Sequence, residues 1–532
     1  MLEHQSVLTS GRVRKGRRSW FLAAVAILSA VGFLIVATRP ELERNFRSWL
    51  YAALGVLTCV LVLFWFVFLS RVRWSTRLIT LALLGLVGFA LSKSVRVAGT
   101  ASGTGLPKFA WKWTPKRMTE FQPAPEQPSP PVSDPRLATV TDTPQFLGPN
   151  RNGVLSGAGL ATDWQGAQPK ELWRKPVGSG WSAFAVVGGH AFTQEQRGEN
   201  EAVTCYDVLS GQPVWAHETR DHFFEWQGGE GPRATPTVDQ DRVFAMGATG
   251  RLDCLESATG HLVWSRNVLS ENSLKNLTWG ISDSPLVTKE LVIVTGGSGS
   301  KGPTLLAYDR ATGEPRWQGG QAGVSYSSPV LAHLAGRQVI LSSNADSLTA
   351  HDPATGEVLL HYPWAPDKKM PKASQPIVLE GDRVFLSAGY GVGCVMLQIA
   401  AVPEGGLTAS QLWKNLRMKT QFNSAAVRDG FIYGLDDGMF ACVDAATGER
   451  KWKSGRFGSG QSLLVDDLAL IQAENGEVTL AQVNPEGFRE IGTIPALTSK
   501  TWNYPTLAGR YLLVRNDREA VCYELPLAAK SK

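Results

Sequence analysis

A short pattern that recurs along this 532-residue chain constrains its fold more than any other feature. In its clearest copy, CVDAATGERKW at 442–452, an apolar strand end leads through Asp and a Thr-Gly turn into a strand that ends in Trp. Further copies are CYDVLSGQPVW at 205–215, CLESATGHLVW at 254–264, AYDRATGEPRW at 307–317 and AHDPATGEVLL at 350–360. Such a unit cannot bury its own apolar face, so the copies must stack against one another.

Each copy is predicted to be a β-hairpin inside a larger four-stranded unit. The Gly at the end of the turn supplies a positive φ angle, and the Asp and Thr side chains hydrogen-bond the turn amides. A small-residue strand such as ATPTV at 234–238 comes next, followed by a Val- and Phe-rich strand such as RVFAM at 242–246. Four strands repeated radially predict an all-β fold, a β-propeller with four-stranded antiparallel blades.

The blades are counted from one position in the outermost strand. It is occupied eight times, by Trp173, Trp215, Trp264, Trp317, Leu360, Trp413, Trp452 and Ile491. The spacing suits four short strands with their turns, so we expect an eight-bladed propeller. The last copy, at 502–525, has only three strands. We expect LWRKPV at 172–177 to supply the fourth, which closes the ring and removes open sheet edges.

The Asp-x-x-Thr-Gly-x-x-x-Trp spacing resembles the pyrroloquinoline quinone (PQQ)-like propeller repeat. That family includes quinoprotein alcohol dehydrogenases and the propeller lipoprotein of the outer-membrane β-barrel assembly machinery. QFLGPNRNGV at 145–154 and GPRATPTV at 231–238 resemble a bacterial subgroup of these propellers. The resemblance covers about residues 145–525 and implies the fold. It leaves the function open, because one fold hosts many functions.

Three apolar runs ahead of the repeats predict a membrane anchor over residues 19–92. They follow a basic tail at 1–18, and the predicted transmembrane helices cover about 20–37, 49–69 and 76–92. A cleaved signal peptide is the competing interpretation of the first run, but the two apolar runs behind it and the lack of a clear small-x-small cleavage site before Arg39 argue against it. The alternative for the third run is that it lies at the membrane interface. Basic residues favour a cytoplasmic tail, so three spans place the propeller on the periplasmic side of a bacterial inner membrane. Two spans would reverse this orientation.

Residues 93–144 are predicted to be a Pro-rich linker to the propeller at 145–528. Eight prolines lie between 115 and 144, which is typical of a semi-rigid tether. Residues 1–117 hold 17 Lys and Arg against 3 Asp and Glu, so they carry +14 of charge. The rest of the chain therefore carries −8 of the total +6, and this acidity speaks against nucleic-acid binding.

Five of the six cysteines lie in the propeller, four of them at one repeat position. Equivalent positions of neighbouring blades are ~10 Å apart, beyond the ~7 Å Cα limit for a disulfide. We therefore expect small buried apolar residues here. Their spacing indicates no metal site.

Polar and aromatic residues at the starts of the innermost strands predict a binding site at one mouth of the axial channel. Hydrogen-bond donors, one guanidinium and flat rings suit an anionic, planar or peptide-like ligand. The alternative is that they fill and hydrate the channel. The candidate ligand-binding residues are Arg233, Trp279, Ser282, Tyr326, Gln375, Gln421, Asn423 and Trp502, beside Trp181, Ser182, Ser327, Gln461, Ser462 and Asn503.

Two groups of charged residues have competing interpretations. Arg233 is either a clamp for a carboxylate or phosphate, or a structural residue paired with Glu230 or Asp283. The recurring turn aspartates, for example Asp207 and Asp444, suggest a catalytic or calcium site, but the structural interpretation is favoured, because they occupy the same turn in separate blades and cannot converge.

Two functions follow from these patterns. The leading hypothesis is a membrane-anchored binding or scaffolding module of the cell envelope with a protein or small-ligand partner. The alternative, implied by the resemblance, is a membrane-bound quinoprotein oxidoreductase acting on alcohols or sugars, with PQQ, Ca²⁺ and Asp283 as the base. The chain has no adjacent cysteine pair and no CxxCH haem motif, which weakens this alternative. A sensor is a third and weaker hypothesis.

Overall fold

The structure is a computed structural model that describes residues 13–39, 42–114, 140–164, 166–297, 302–367, 370–403 and 405–528. The chain divides into two compact units, Met1–Lys116 and Arg117–Lys532.

The first unit contains the three predicted helices, and each is long and apolar enough to cross a membrane. The second and third begin earlier than predicted, because the basic and polar residues ahead of each apolar run still form helical turns. The helices are α1 (Val13–Ala37), α2 (Arg44–Phe64), extended by a π-helical turn at Trp65–Leu69, and α3 (Trp74–Ser94).

Helices α1 and α2 pack through matched side chains. Phe33 stacks on Tyr51 with 5.8 Å between ring centroids, and the hydroxyls of Ser29 and Thr58 lie 2.8 Å apart. Such a polar pair inside an apolar helix pair is a typical contact between membrane-spanning helices.

A β-hairpin lies where the sequence predicted the start of the Pro-rich linker. Strands β1 (Val95–Thr100) and β2 (Pro107–Trp111) pair antiparallel directly after α3. The linker prediction for residues 93–111 is therefore corrected. Val and Arg alternate in the first strand and a Gly- and Ser-rich turn follows, which together form a hairpin signal. The proline-rich part at 115–139 lies outside the described residues.

The second unit is an eight-bladed β-propeller, as predicted. Each blade is an antiparallel sheet of four strands in sequential order, except that blade 7 gains an extra strand and blade 8 takes one strand from the start of the unit. The strands of blades 1 to 4 are β5–β8 (Ala185–Val187, His190–Arg197, Asn200–Asp207, Pro213–Arg220), β11–β14 (Thr237–Asp239, Arg242–Met246, Arg251–Glu256, Leu262–Asn267), β15–β18 (Leu286–Val287, Leu291–Thr295, Leu305–Asp309, Pro315–Gly319) and β19–β22 (Val330–Leu334, Arg337–Ser343, Ser347–His351, Val358–Pro363).

Blades 5 to 8 continue the pattern. Their strands are β23–β26 (Ile377–Leu379, Arg383–Ala388, Gly393–Ala401, Leu407–Asn415), β27–β30 (Ala426–Arg428, Phe431–Asp436, Met439–Asp444, Arg450–Ser454), β31–β34 (Gln461–Val465, Leu468–Gln472, Val478–Asn484, Gly487–Ile494) with β3 (Val154–Leu155), and β35–β37 (Thr506–Ala508, Tyr511–Arg515, Glu519–Glu524) with β4 (Lys170–Pro176). A short hairpin, β9 (Phe224–Glu225) and β10 (Gly229–Glu230), and the one-turn helix α4 (Val268–Glu271) lie in loops.

Ring closure follows the prediction. Strand β4 pairs antiparallel with β37 as the outermost strand of blade 8, with Trp173 opposite Cys522. Cys205, Cys254 and Cys442 lie opposite their own blade's Trp in the same way. The five propeller cysteines are buried, and none of the six cysteines forms a disulfide.

The repeated Trp joins six of the eight blades to the next blade. The Trp264 indole donates to the carbonyl of Arg310 in the turn of blade 3 at 3.1 Å, and its ring packs on Gly313 of that turn. Gly313 has φ +73°, and a Cβ there would lie only 2.6 Å from the ring. The repeat therefore needs Gly for both the turn and the contact. The same indole-to-turn bond is made by Trp173, Trp215, Trp317, Trp413 and Trp452.

The turn aspartates have the structural role that the sequence predicted. Asp444 accepts hydrogen bonds from the amides of Ala446 and Thr447 at 2.9 and 3.0 Å. Asp309 and Asp352 accept equivalent bonds in their own turns.

Candidate functional site

Every candidate residue lies at one mouth of the ring. The loops that join the fourth strand of one blade to the first strand of the next, such as 221–236 and 268–285, meet there, and we call this the loop mouth. Trp181, Arg233, Gln375 and Trp502 lie in such loops, within a few residues of the innermost strand. The other candidates occupy equivalent loops, except Gln461 and Ser462, which begin strand β31, so all blades contribute to this mouth.

A segment at the opposite mouth crosses the ring axis. Thr143 bridges to Val186 of blade 1, and β3 pairs in parallel with β31 of blade 7. Between these contacts the buried Arg151 guanidinium donates to the carbonyls of Ser284 and Pro285 at 3.0 Å each. No pattern in the sequence indicated a structural role for this segment, residues 143–155.

Hydroxyl groups link neighbouring innermost strands around the channel. The backbone N–H of Ala183 donates to Thr235 Oγ1 at 3.1 Å, that of Thr235 to Ser284 Oγ at 3.0 Å, and that of Ser284 to Ser328 Oγ at 2.9 Å. Gln375 N donates to a Ser of blade 6 in the same way. These bonds explain why small hydroxyl residues recur at this point of the repeat: they satisfy buried amides where strands converge.

Arg233 is directed at the hairpin of β9 and β10. Its guanidinium donates to the carbonyls of Gly229, at 2.8 Å, and Gly231, and it lies over the Phe223 ring at 4.5 Å. Burial lowers the pKa of Arg233 to about 10, which leaves it charged at neutral pH. Asp283 and Glu230, its predicted alternative partners, instead bond to Thr295 and His222.

The same hairpin is fixed from two further directions. The indole of Trp181 donates to the carbonyl of Gly228, and Glu225 Oε2 accepts from the Gly228 amide at 2.7 Å. The aromatic side chains of Phe224 and Trp226 nevertheless remain 57% and 40% exposed. This hairpin was not predicted from the sequence, although FFEWQGGE at 223–230 carries three aromatic residues shortly before a Gly-Gly pair.

A buried carboxylate lies near Arg233. Glu201, in β7, accepts from the amide of Ala248 at 3.3 Å. Burial, reinforced by the charge of Asp221, raises the pKa of Glu201 from 4.5 to about 7, although Arg233 opposes this shift. Glu201 was not a candidate, because an isolated Glu in a strand carries no sequence signal of burial.

Three candidates form one aromatic cluster at blades 3 and 4. The rings of Trp279 and Tyr326 lie 5.5 Å apart, and Ser282 Oγ donates to the Tyr326 carbonyl at 3.2 Å. Burial raises the pKa of Tyr326 above its usual value, so its hydroxyl stays protonated.

A second cluster joins blades 1, 6 and 8. The Trp502 ring lies 4.8 Å from Trp181 and 5.2 Å from Phe422, and Lys500 Nζ sits 3.8 Å from the Trp502 ring centroid. The Trp502 indole donates to Glu474 at 2.9 Å. These flat faces would suit stacking against a ring or an Arg side chain.

Buried amide side chains near the loop mouth keep unused hydrogen-bonding capacity. Both amide atoms of Gln375, the Nε2 of Gln421 and the Oε1 of Gln461 are buried without a protein partner in the described part of the chain. Gln421 Oε1 accepts from the Ser459 hydroxyl, and Asn423 Oδ1 accepts from the backbone N–H of Gln421. Such groups are normally satisfied by ordered water or a polar ligand.

The residues around Asp283 do not fit a Ca²⁺–PQQ centre. Both carboxylate oxygens accept from Thr295, at 2.8 Å from its hydroxyl and 2.9 Å from its amide. Burial raises the pKa of Asp283 to about 6. Across the described ranges, no three His, Cys, Asp or Glu side chains are grouped to hold a metal ion.

Comparison with known proteins supports the fold and its repeat. The family model described as outer membrane protein assembly factor BamB matches residues 199–454. The BamB protein of Shewanella oneidensis is 28% identical over 300 residues, which is 53% of this chain and 71% of the relative.

Two crystal structures share the propeller architecture. BamB from Moraxella catarrhalis superposes with a TM-score of 0.50 at 15% identity, over 67% of this chain and all of that one. The quinohemoprotein alcohol dehydrogenase of Comamonas testosteroni gives 0.54 at 13% identity, over 75% of this chain and 82% of that one. At these identities the likeness shows the fold alone.

Proposed function

We propose that this chain, a PQQ-like β-propeller by its repeat and its relatives, is a scaffold of the bacterial cell envelope that docks a protein partner at its loop mouth. The family model and the Shewanella relative both carry the description of an outer-membrane assembly factor, which supports a binding role in the envelope. Helices α1–α3 would anchor the scaffold in the inner membrane, with the propeller on the periplasmic side.

The observation that carries the proposal is the hairpin of β9 and β10. It presents Phe224 and Trp226 to solvent on a backbone that Arg233, Trp181 and Glu225 hold in place. Exposed aromatic residues on rigid supports are typical of binding hot spots, because they bury a large area and lose little conformational entropy. The nearby Trp279–Tyr326 cluster would extend the same surface.

The proposal is tested by capture from detergent-solubilised envelope membranes with a tagged full chain. Truncating a hot spot costs at least ~2 kcal/mol, or about 30-fold in affinity. We therefore expect Phe224→Ser with Trp226→Ser to lose a partner that the unmodified chain enriches. Leu262→Ser is the matched control, because Leu262 is an exposed apolar residue on the outer strand of blade 2. Retention of every enriched protein by the double variant would refute the hairpin as the docking site.

The oxidoreductase alternative has weaker support. The Asp283 carboxylate is already held by Thr295, and the described residues offer no acidic cluster for Ca²⁺. Calorimetric titration with PQQ, with and without Ca²⁺, decides between the two. Calcium-dependent binding that Trp279→Ala abolishes would favour the enzyme, and turnover with alcohols or sugars would then be measured.

A further inference from the structure

The hairpin of β1 and β2 has one apolar face that is open to its surroundings. Its register pairs Val95 with Trp111 and Val97 with Phe109, so these four side chains lie on the same face. Val97, Phe109 and Trp111 are 46%, 64% and 46% exposed. Trp113 stacks on Trp111 with 4.8 Å between ring centroids and is 66% exposed. Exposed apolar patches of this kind mark interaction sites, so we expect an apolar medium or a partner to cover this face.

The opposite face of the same hairpin is basic. Arg96 pairs with Ala110, and Lys108 and Lys112 alternate with the apolar residues of β2, which places all three basic residues on this face. Lys93 precedes β1 at the end of α3, and residues 93–114 contain no Asp or Glu. The hairpin is therefore amphipathic, with charge of a single sign.

The hairpin is fixed to the end of α3. Strand β1 starts at Val95, immediately after α3 ends at Ser94. The amide of Lys112 donates to the Ser94 carbonyl at 2.7 Å, which ties the far strand to the helix end as well. If α3 crosses a bilayer, its end lies in the interface, where aromatic rings are favoured and basic groups meet lipid phosphates.

We propose that this hairpin is a lipid-binding element that lies in the membrane interface. Its apolar face rests against the upper acyl chains, and Arg96, Lys108 and Lys112 bind the phosphates of anionic phospholipids. Continuity with α3 and charge complementarity favour lipid over a protein as the occupant. The inference rests on the proposed membrane anchor and is independent of what the propeller binds.

The test uses the full chain in vesicles of phosphatidylcholine, alone or with a third of phosphatidylglycerol. Two single-site cysteine labels are compared in a Cys59→Ser background. Val97→Cys carries an environment-sensitive fluorophore on the apolar face of the hairpin, and Ala110→Cys carries it on the basic face. Nitroxide lipids serve as quenchers. Quenching at 97 is expected to exceed quenching at 110 several-fold. Each basic side chain favours an anionic surface about fivefold. The double variant Lys108→Gln and Lys112→Gln should then lower the ratio of membrane-bound to unbound hairpin, read from quenching at 97, about 25-fold. This loss is expected in the anionic vesicles only.

Label on the native Cys59, an exposed residue of α2, reports whether the anchor itself is inserted. Quenching at Cys59 without preferential quenching at 97 would overturn the hairpin inference and leave the anchor standing. Absence of quenching at both positions would overturn both. Equal quenching in neutral and anionic vesicles would refute the anionic-lipid assignment.

Discussion

Replacing Glu201 by Gln should stabilise the propeller in a pH-dependent manner. The Glu201 carboxyl is buried and titrates near pH 7 in the folded chain, against about 4.5 when exposed. The difference between a pKa of 4.5 and one of about 7, at about 1.36 kcal/mol per pH unit, amounts to about 3 kcal/mol. Gln keeps an oxygen for the Ala248 amide and removes the charge, so it removes the cost of burying that charge.

The direction in which this stabilisation changes with pH follows from proton linkage. The folded chain binds a proton at Glu201 more tightly than the unfolded chain, so the contribution to stability is fully present below pH 4.5. It is lost as the pH rises from 4.5 through about 7. The Glu201→Gln variant lacks this loss. It should therefore match the unmodified chain near pH 4.5 and exceed its free energy of unfolding by about 3 kcal/mol at pH 8.

The assay is urea unfolding followed by Trp fluorescence at several pH values between 4 and 8. Asp283 also has a raised pKa, but it is present in both chains and cancels in the difference. Glu449→Gln, at an exposed hairpin turn, controls for removing a carboxylate from the surface. If the difference in free energy of unfolding between the Glu201→Gln variant and the unmodified chain stays constant with pH, the reasoning is refuted. A difference that favours the unmodified chain at pH 8 would show that Arg233 dominates over burial.

Three further changes test the packing. Trp264→Phe removes the indole bond to Arg310 and should lower the free energy of unfolding by about 1–3 kcal/mol in the same urea assay. Leu360→Trp places the repeat's usual Trp in blade 4, but it should lower the free energy of unfolding by a similar ~1–3 kcal/mol. Blade 5 lacks the Thr-Gly turn that receives the ring in other blades, so the larger side chain overpacks the contact. A stabilised variant would contradict this. Arg233→Leu should leave the propeller folded but accelerate amide hydrogen exchange in β9 and β10, and unchanged exchange would show that the guanidinium does not hold the hairpin.

The blade count, the closing strand and the roles of Trp and Asp were predictable from sequence because they repeat. A contact such as Trp264 on Gly313 is made by the same residue types at the same spacing in several blades, so each copy supports the interpretation of the others. The structure confirms these features at the level of individual strand pairs.

The features that the sequence did not reveal occur once. Arg151 reaches carbonyls 133 and 134 residues further along the chain, and no local pattern records such a contact. The hairpin after α3 was not predicted because its residues precede a proline-rich stretch, and the two together resemble one linker. Arg233 was identified as unusual, but its direction depends on the Gly-rich turn that surrounds it. Residues with unique long-range contacts therefore need the structure, whereas periodic ones do not.

The closing strand also sets the timing of folding during synthesis. Arg174 of β4 bonds to Glu519 of the last blade, and the two residues are 345 positions apart. At ~5–20 residues per second, the ribosome needs roughly 20–70 s between them. During that interval β4 presents an unpaired edge while blades 1 to 7 emerge. The ring can become a closed, cooperative body only after strand β37 has been translated, so we expect chaperones of nascent chains to bind the open edge of β4 until then.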